Sequence, residues 1–242
     1  TDINNNIPSV WHPNKSHGFE DLPKSEAVIF KNSTVWTNEK EGVLLNTDVI
    51  IANGKIIAIG TLLNPLDYFK EGSFTTIDAS QLNLTSGIID EHSHIAISRG
   101  VNEGSQAVSA EVRIGDVINP TDHNIYRQLA GGTVAAQLLH GSANPIGGQS
   151  AIIKFRWGES AEKMLIANAD GFIKFALGEN VKQSNWGDFE RIRFPQTRMG
   201  VEQVFYDAFY RAKVYKNSWV KYNNLRLQEK RNMAPPREDL EL

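Results

Sequence analysis

The rhythm of secondary-structure signals changes at about residue 85, and this change constrains the fold more than any other feature of the sequence. Between residues 27 and 84, β-rich runs such as AVIF, STVWT, DVIIA and KIIAIG are separated by turn residues. After residue 85, apolar strands alternate with helical segments. Consecutive strands predict a small β-domain, whereas alternating strands and helices are typical of a parallel sheet or barrel. The sequence therefore predicts an α/β protein with two domains.

Local signals predict the boundaries of these domains. Residues 1–25 are rich in Asn, Pro, Lys and Ser and lack sustained periodicity, which predicts an extended arm or linker. Residues 26–85 form the predicted β-domain, in which Asn53-Gly54 indicates a type I′ hairpin because both positions tolerate positive φ. Residues 86–242 form the predicted second domain. In it, apolar residues recur every three or four positions over residues 200–229, which predicts a long helix.

Composition excludes several classes of function. The chain has 25 basic and 28 acidic residues and a formal net charge of −3, and its basic residues are scattered, so nucleic-acid binding is not expected. No apolar run approaches the roughly 18 to 20 residues that span a bilayer. The absence of cysteine excludes disulfides, thiolate nucleophiles and cysteine-ligated zinc. His, Asp and Glu remain as the strong metal ligands.

The sharpest local motif is the segment DEHSH at residues 90–94, which closes an apolar strand. Side chains of a strand alternate between its two faces, so Asp90, His92 and His94 share one face. Two imidazoles that project from a rigid strand end can coordinate zinc or a similar divalent ion. A bare His-x-His is also compatible with two hydrogen-bonded surface histidines. Its position before repeated βα units favours a metal site, because barrel enzymes place their chemistry at strand ends.

A glycine-rich loop, HGSANPIGGQ at residues 140–149, follows another predicted strand. Small residues let the backbone approach a bound group closely, and His140, Asn144 and Gln149 are the candidate substrate contacts. The loop lacks the Gly-Lys-Ser/Thr ending of a P-loop and the Gly-x-Gly-x-x-Gly spacing of a dinucleotide site. A turn-rich connection with a satisfied histidine is the alternative interpretation.

The segment TSGIIDEHSHI resembles the Pro-Gly-φ-φ-Asp-x-His-x-His signature of the amidohydrolase superfamily, with Ser86 where proline is usual. The preceding NTDVIIANGKIIAIG is similar to the amino-terminal β-sandwich of that family. The likeness continues through LLHGSANPIGGQ, IKFALGENVK and RFPQTRMGV to PREDLEL, from about residue 26 to the last residue. The set most resembles imidazolonepropionase-like members. This resemblance implies a small β-sandwich followed by the amino-terminal part of a (β/α)₈ TIM-type barrel.

The resemblance also implies a site. His92 and His94 are expected to be metal ligands from the first barrel strand, with Asp90 a structural carboxylate beside them. The segment GFIKFALGENVK offers Glu179 as the preferred third ligand, and Lys174 as a second choice that requires carboxylation. The expected cofactor is a divalent metal, zinc in the first place, with one or two ions. The reaction implied is hydrolysis of amide bonds in cyclic or peptide-like small molecules by a metal-activated water.

Several expectations concern what lies beyond the 242 residues. Relatives take further ligands and a general base from later strands, and no histidine follows His140. A half barrel also leaves open strand edges, so we expect a second polypeptide or a carboxyl-terminal continuation to complete it. An inactive amidohydrolase-like module in a larger assembly is the alternative function, and GGTVAA in place of the usual Gly-Gly-Val-Thr-Thr is compatible with it. The expected location is extracytoplasmic, with a cytoplasmic one as the alternative.

Overall fold

The computed structural model describes residues 9–187, 193–230 and 234–235. The chain divides into two compact units, one ending at Ile88 and the other beginning at Ile89. The motif PREDLEL at residues 236–242 lies outside the described residues, as does the start of the predicted arm. The described part of that arm contains a short turn, in which the backbones of His12 and Phe19 form an antiparallel bridge.

The first unit is built on one five-stranded sheet. Its strands are β1 (Ala27–Trp36), β2 (Val43–Ala52), β3 (Lys55–Gly60), β4 (Phe74–Asp78) and β5 (Asn83–Thr85), with a 3₁₀ turn at Pro65–Asp67. The sheet order is β3-β2-β1-β4, and β5 also pairs with β1. Strand β1 is antiparallel to β2 and parallel to both β4 and β5.

The predicted hairpin is confirmed. Strands β2 and β3 pair antiparallel, from Ala52 opposite Lys55 to Asp48 opposite Gly60. The two residues between them, Asn53 and Gly54, have φ of 50° and 70°. Both values are positive, as a type I′ turn requires, and the twist of that turn matches the twist of the strands.

The predicted β-sandwich is not observed within the first unit. Residues 9–88 form a single sheet, and several large apolar side chains on it are exposed, among them Leu45 at 67% and Ile56 at 63%. A sandwich needs a second sheet to cover such a surface. The sandwich therefore stays a prediction.

Asp48 is the polar centre of the first unit. Its side chain is buried on β2, where it accepts hydrogen bonds from the Asn32 and Leu63 backbone N–H groups, both at 2.9 Å, and from Lys31 Nζ. Asn32 has φ of 60° at an irregular part of β1, so its N–H group would otherwise be unpaired in the ladder. Burial alone would raise the pKa of Asp48, but these donors and the Lys31 charge lower it.

The remaining elements of the described ranges are five short strands and three helices. They are β6 (Ile88–Ser93), α1 (His123–Ala130), β7 (Thr133–Leu138), β8 (Ile146–Gln149), β9 (Ala151–Lys154), α2 (Ala161–Met164), β10 (Ile173–Phe175) and α3 (Arg198–Asn223), with 3₁₀ turns at Ile114–Val117, Glu179–Val181 and Gln183–Asn185. Strands β6, β7 and β9 form one sheet in that order, and β8 pairs with β10 in another.

The second unit is mixed α/β, but its pairing differs from the parallel pattern that the sequence predicts. Strand β9 is antiparallel to β7, and β10 is antiparallel to β8. The chain reverses between β7 and β9 through the glycine-rich segment 141–148, so these two strands pair directly instead of through a crossover helix. Half of a (β/α)₈ barrel is therefore not established by the described strands and stays a prediction.

The long helix is confirmed, with different bounds. The sequence predicts residues 200–229, and α3 covers Arg198–Asn223, with Asn224 as its C-cap. Among the helical segments that the sequence indicates after residue 85, the one at residues 160–170 has only the single turn α2. None of the helices in the described ranges has the length and apolar content of a membrane-spanning helix.

Replacing Asp48 with Asn should destabilise the first unit by about 3 kcal/mol. The buried carboxylate, which accepts hydrogen bonds from Lys31 and from two backbone N–H groups, is replaced by a neutral amide. Urea unfolding measures the loss, and hydrogen exchange of the β1 and β2 amides localises it. The control is Glu41→Gln, which removes an exposed ion pair to Lys40 at 3.9 Å and should cost less than about 1 kcal/mol. Equal effects of the two variants would contradict the assigned role of Asp48.

The cost of Asp48→Asn should depend on pH in a defined direction. Because the folded-state pKa of Asp48 is lowered, its contribution is complete above the unfolded-state value of about 3.9 and is lost as the pH falls through the lower folded value. The difference in unfolding free energy between the native chain and the variant should therefore be largest at neutral pH and shrink below about pH 4. A difference that grows on acidification would contradict this assignment.

Candidate metal centre

The two histidines of the DEHSH motif lie side by side at the end of β6. Strand β6 ends at Ser93, so His92 is the penultimate strand residue and His94 is the first residue beyond it. Their ring centroids are 5.1 Å apart and the rings are nearly perpendicular, at 87°. Both side chains are exposed, whereas Ser93 between them is buried. Because side chains alternate between the two faces along the chain, both imidazoles lie on the same solvent-exposed side.

A backbone carbonyl fixes the tautomer of His94. The ring Nδ1 lies 2.8 Å from the carbonyl oxygen of Leu139. A carbonyl only accepts hydrogen bonds, so Nδ1 carries a proton, and in the neutral ring Nε2 therefore has the lone pair. The same Leu139 donates its N–H to the carbonyl of Ser93 at 3.0 Å, which ties the ends of β6 and β7 together. A hydrogen bond from the ring nitrogen to a backbone carbonyl is the arrangement that orients metal-binding histidines in proteins.

His92 has a different neighbour. Lys174, the central residue of β10, places its Nζ 3.4 Å from His92 Nε2. Partial desolvation lowers the pKa of His92, and the charges of Lys174 and His94 lower it further, against an opposing effect of Asp90. His92 is therefore biased towards the neutral imidazole, which is the form that binds metals.

Glycine at position 147 helps bring Lys174 to this place. Gly147 lies in β8, which pairs with β10. A Cβ atom at Gly147 would lie 3.3 Å from both the Cβ and the carbonyl oxygen of Lys174. The absence of a side chain thus allows the two strands to approach closely.

Glu179, the third ligand that the sequence favours, lies in a cluster of basic residues instead. Its carboxylate pairs with Lys182 Nζ and with Arg198 Nη2 at 2.7 Å, and it accepts a hydrogen bond from Asn185. Hydrogen bonds from Lys182, Arg198 and Asn185 lower the pKa of Glu179 to about 2. Of the two candidates, Lys174 is thus the one that the structure brings to His92. The identity of the third ligand stays a prediction.

Asp90 contacts its own strand. Its Oδ1 accepts a hydrogen bond from the backbone N–H of His92 at 3.1 Å. This contact fits the structural role expected for it, because it constrains the backbone that carries the histidine.

The donors present suit a divalent ion but form only part of a site. In the ranges that the structure describes, no group of three or more His, Cys, Asp and Glu side chains is arranged to hold a metal. Catalytic zinc sites generally use three protein ligands and a water. His92 and His94 supply two imidazole nitrogens, and Lys174 lies beside them as the available third group.

The loop residues proposed for substrate contact are engaged with the protein. Asn144 is 3% exposed, and its Nδ2 donates to the carbonyl of Glu103 at 2.6 Å and to Ser109 Oγ at 2.7 Å. Gln149 is partly buried, and its Nε2 donates to the carbonyl of Ala110 at 2.9 Å. Both amides hold the glycine-rich loop against residues 103–110. Their substrate role stays a prediction, which these contacts do not favour.

His140 is buried, with 6% of its surface exposed. Burial lowers the pKa of its imidazole, against an opposing effect of the Val101 and Gln149 backbone groups. Its Nε2 has no hydrogen-bond partner of regular geometry among the described atoms. Gly148 lies directly against that nitrogen, since a Cβ there would meet Nε2 at 2.3 Å and the Val112 carbonyl oxygen at 2.4 Å. His140 thus packs beneath the loop.

Arg193, which the sequence did not single out, also holds this loop. Its Nε donates to the carbonyl of Gly104 at 2.7 Å. Its Nη2 donates to the Ala143 carbonyl at 2.9 Å and to Asn144 Oδ1 at 2.7 Å. The guanidinium also lies 5.6 Å from the ring centre of Trp186. No local sequence signal marks Arg193, because most of its partners are carbonyl groups 49 to 89 residues away in the chain.

The second unit is thus a mixed α/β unit with two neighbouring histidines at a strand end, an arrangement suited to binding a metal. Comparison with known proteins then gives the family. No protein-family profile matches the chain. The chain is 30% identical to "Amidohydrolase tasK" of Hapsidospora irregularis, in an alignment that covers 76% of this chain and 21% of that protein. Its structure matches an amidohydrolase of Thermotoga maritima MSB8 with a TM-score of 0.68 and 31% identity, over 88% of this chain and 54% of that one.

The chain is therefore an amidohydrolase-type sequence, which confirms the resemblance seen in its motifs. It spans about half the length of the solved Thermotoga protein and about a fifth of the curated relative. The finer likeness to imidazolonepropionase-like members stays a prediction.

Replacing Gly148 with Ala should displace His140 and destabilise the chain by about 1 to 3 kcal/mol, because the added methyl group has no space between the imidazole and the Val112 carbonyl. The matched control is Gly171→Ala, where a Cβ would have no atom within 4 Å. Thermal unfolding of the two variants measures the difference. If Gly148→Ala were as stable as Gly171→Ala, the described packing of His140 would be wrong.

Proposed function

We propose that this chain contributes the histidine pair of a metal-dependent hydrolase that cleaves amide C–N bonds. The observation that carries the proposal is the pairing of His92 with His94, in which the Leu139 carbonyl leaves His94 Nε2 free to bind a metal. The sequence and structural similarity to amidohydrolases supports hydrolysis as the reaction class. Cyclic amides and peptide-like small molecules are the proposed substrates.

The residues of the chain have separate roles in this proposal. His92 and His94 hold the ion. The lowered pKa of His92 favours its neutral form, and the hydrogen bond from His94 Nδ1 to the Leu139 carbonyl directs His94 Nε2 to the ion. Lys174 becomes a ligand once its nitrogen is carboxylated, since a protonated amine offers no lone pair. When bound, a divalent ion acidifies a water molecule and polarises a substrate carbonyl group. Zinc is the proposed metal, with one or two ions.

The general base and the remaining ligands are proposed to come from residues beyond those described. The described residues provide fewer than three His, Cys, Asp or Glu ligands in one place, and the Thermotoga relative is about twice as long as the part that matches. A second polypeptide or a carboxyl-terminal continuation is the proposed source, completing a (β/α)₈ barrel and a β-sandwich. The proposed location is extracytoplasmic.

An inactive amidohydrolase-like module is the second candidate. The small number of ligands in the described ranges favours it, as does the contact of Lys174 with His92, because an ammonium group would compete with a metal for His92 Nε2. Metal content distinguishes the two candidates.

The natively purified protein, together with whatever completes its site, should bind about one or two divalent ions per complex. The variant His92→Ala/His94→Ala should bind none, because both imidazole ligands are lost. Elemental analysis by mass spectrometry, after dialysis against zinc and then against metal-free buffer, gives the stoichiometry. The matched control is His123→Ala. His123 is exposed on α1, where its ring packs 5.8 Å from that of Trp157, so this variant should keep the metal. A natively purified complex without metal would exclude the catalytic proposal and leave the inactive module.

The third ligand can be identified separately. Lys174→Ala should weaken zinc binding at least tenfold, whereas Glu179→Gln should leave it unchanged, because Glu179 pairs with Lys182 and Arg198. Titration with zinc gives both affinities. Carbon-13 NMR of the native chain with labelled bicarbonate should show a carbamate signal that Lys174→Ala lacks. If only Glu179→Gln lost zinc binding, Glu179 would be the third ligand, as the sequence favours.

A further inference from the structure

One face of α3 carries an aromatic groove that is open to solvent. The groove has a volume of about 670 Å³, and its lining is mostly apolar, with Leu177, Val201, Phe205, Tyr206, Phe209 and Tyr210 as its walls. Leu177, Tyr206 and Tyr210 are 73%, 66% and 69% exposed, and Phe209 is 60% exposed. Large contiguous apolar surfaces of this kind mark interaction sites in proteins that are otherwise folded.

The floor of the groove is rigid. Phe205 packs against the buried cluster of Ala176, Val181 and Val201. Phe175 of β10 supports both aromatic rings of α3, with ring centres 5.9 Å from Phe205 and 6.2 Å from Phe209. Phe205 and Phe209 are therefore packed against the protein, which reduces the entropy that they lose on binding a partner.

Charged residues stand at the two ends of the groove in a symmetric arrangement. Arg198 and Glu202 lie towards one end, and Lys213 lies at the other. The charge of Arg198 is paired with Glu179 at 2.7 Å, which leaves Glu202 and Lys213 as the exposed charges at the two ends. They are eleven residues apart, about three turns of helix, so they share one face. Two aromatic pairs, Phe205 with Tyr210 and Tyr206 with Phe209, are centred on the same point of the helix as Glu202 with Lys213.

This symmetry makes the groove complementary to itself. If two copies of α3 cross antiparallel about that midpoint, Glu202 of each copy faces Lys213 of the other, and the aromatic residues meet between the two ion pairs. Contacts of this kind repeat identically on both sides of a two-fold axis, as in an isologous dimer. An acidic residue at both ends, or a basic one, would instead produce repulsion in the same arrangement.

We infer that the groove on α3 binds the same groove of a second copy of this chain, forming an antiparallel two-fold dimer. The aromatic residues supply the buried apolar surface and the two Glu202–Lys213 pairs set the orientation. The dimer requires neither a metal nor the histidine pair, so its test is independent of the proposed function.

Sedimentation equilibrium of the full 242-residue chain tests this inference. The native chain should show a reversible monomer–dimer equilibrium at micromolar concentrations. Glu202→Lys and Lys213→Glu should each weaken dimerisation roughly tenfold or more, because each replaces two attractive pairs with two repulsive ones. A 1:1 mixture of these two variants should associate again. In the mixed dimer one chain carries lysine at both positions and the other carries glutamate at both, so the two pairs are attractive once more.

The control is Arg211→Glu. Arg211 lies nine residues after Glu202, two and a half turns along the helix and thus on the opposite side, so this variant should dimerise like the native chain. A native chain that remains monomeric at about 100 μM would overturn the inference and leave another occupant for the groove. Association that is insensitive to the charge substitutions, or a mixture that fails to recover, would overturn it as well.

Discussion

The candidate site depends on the connection between the ends of β6 and β7. Leu139 donates its N–H to the carbonyl of Ser93 and accepts a hydrogen bond from His94 Nδ1 through its own carbonyl. One residue thus fixes both the register of the two strands and the tautomer of a proposed ligand. The next residue, His140, is buried beneath the glycine-rich loop. The contacts of Leu139 therefore orient His94 and join the ends of the two strands where the glycine-rich loop begins.

The glycine-rich loop serves mainly as a structural connection in this arrangement. Asn144 links it to residues 103–109, and Arg193 joins it from a segment 49 residues further along the chain. Gly147 and Gly148 allow the close approach of Lys174 and His140. Small residues are thus required here to pack protein against protein, and the same composition in the sequence also fits a loop that contacts substrate. Only the partners of each side chain separate the two interpretations.

Electrostatics distinguishes the surroundings of the two candidates for the third ligand. Glutamate is a better ligand than lysine as it stands, so sequence reasoning favours Glu179. The fold surrounds that carboxylate with Lys182 and Arg198, which hold its pKa at about 2 and occupy its oxygens. Lys174 lies on the neighbouring strand β10, and its side chain reaches His92. The charges that tertiary structure brings to each residue therefore support Lys174 in the proposal, whereas residue chemistry alone favours Glu179.

The sequence by itself determined the type of most local elements, because hydrophobic periodicity and turn chemistry act over a few residues. The Asn53-Gly54 hairpin, the helix α3 and the projection of His92 and His94 to one side follow from such local patterns. The family also followed from the sequence, through motifs that keep their residues in order. Tertiary structure decided the antiparallel pairing of β7 with β9, the burial of His140 and Asn144, and the contacts of Lys174, Glu179 and Arg193. These features depend on groups tens of residues apart, whose approach is set by the packing of the whole unit and leaves no periodic signal in the chain.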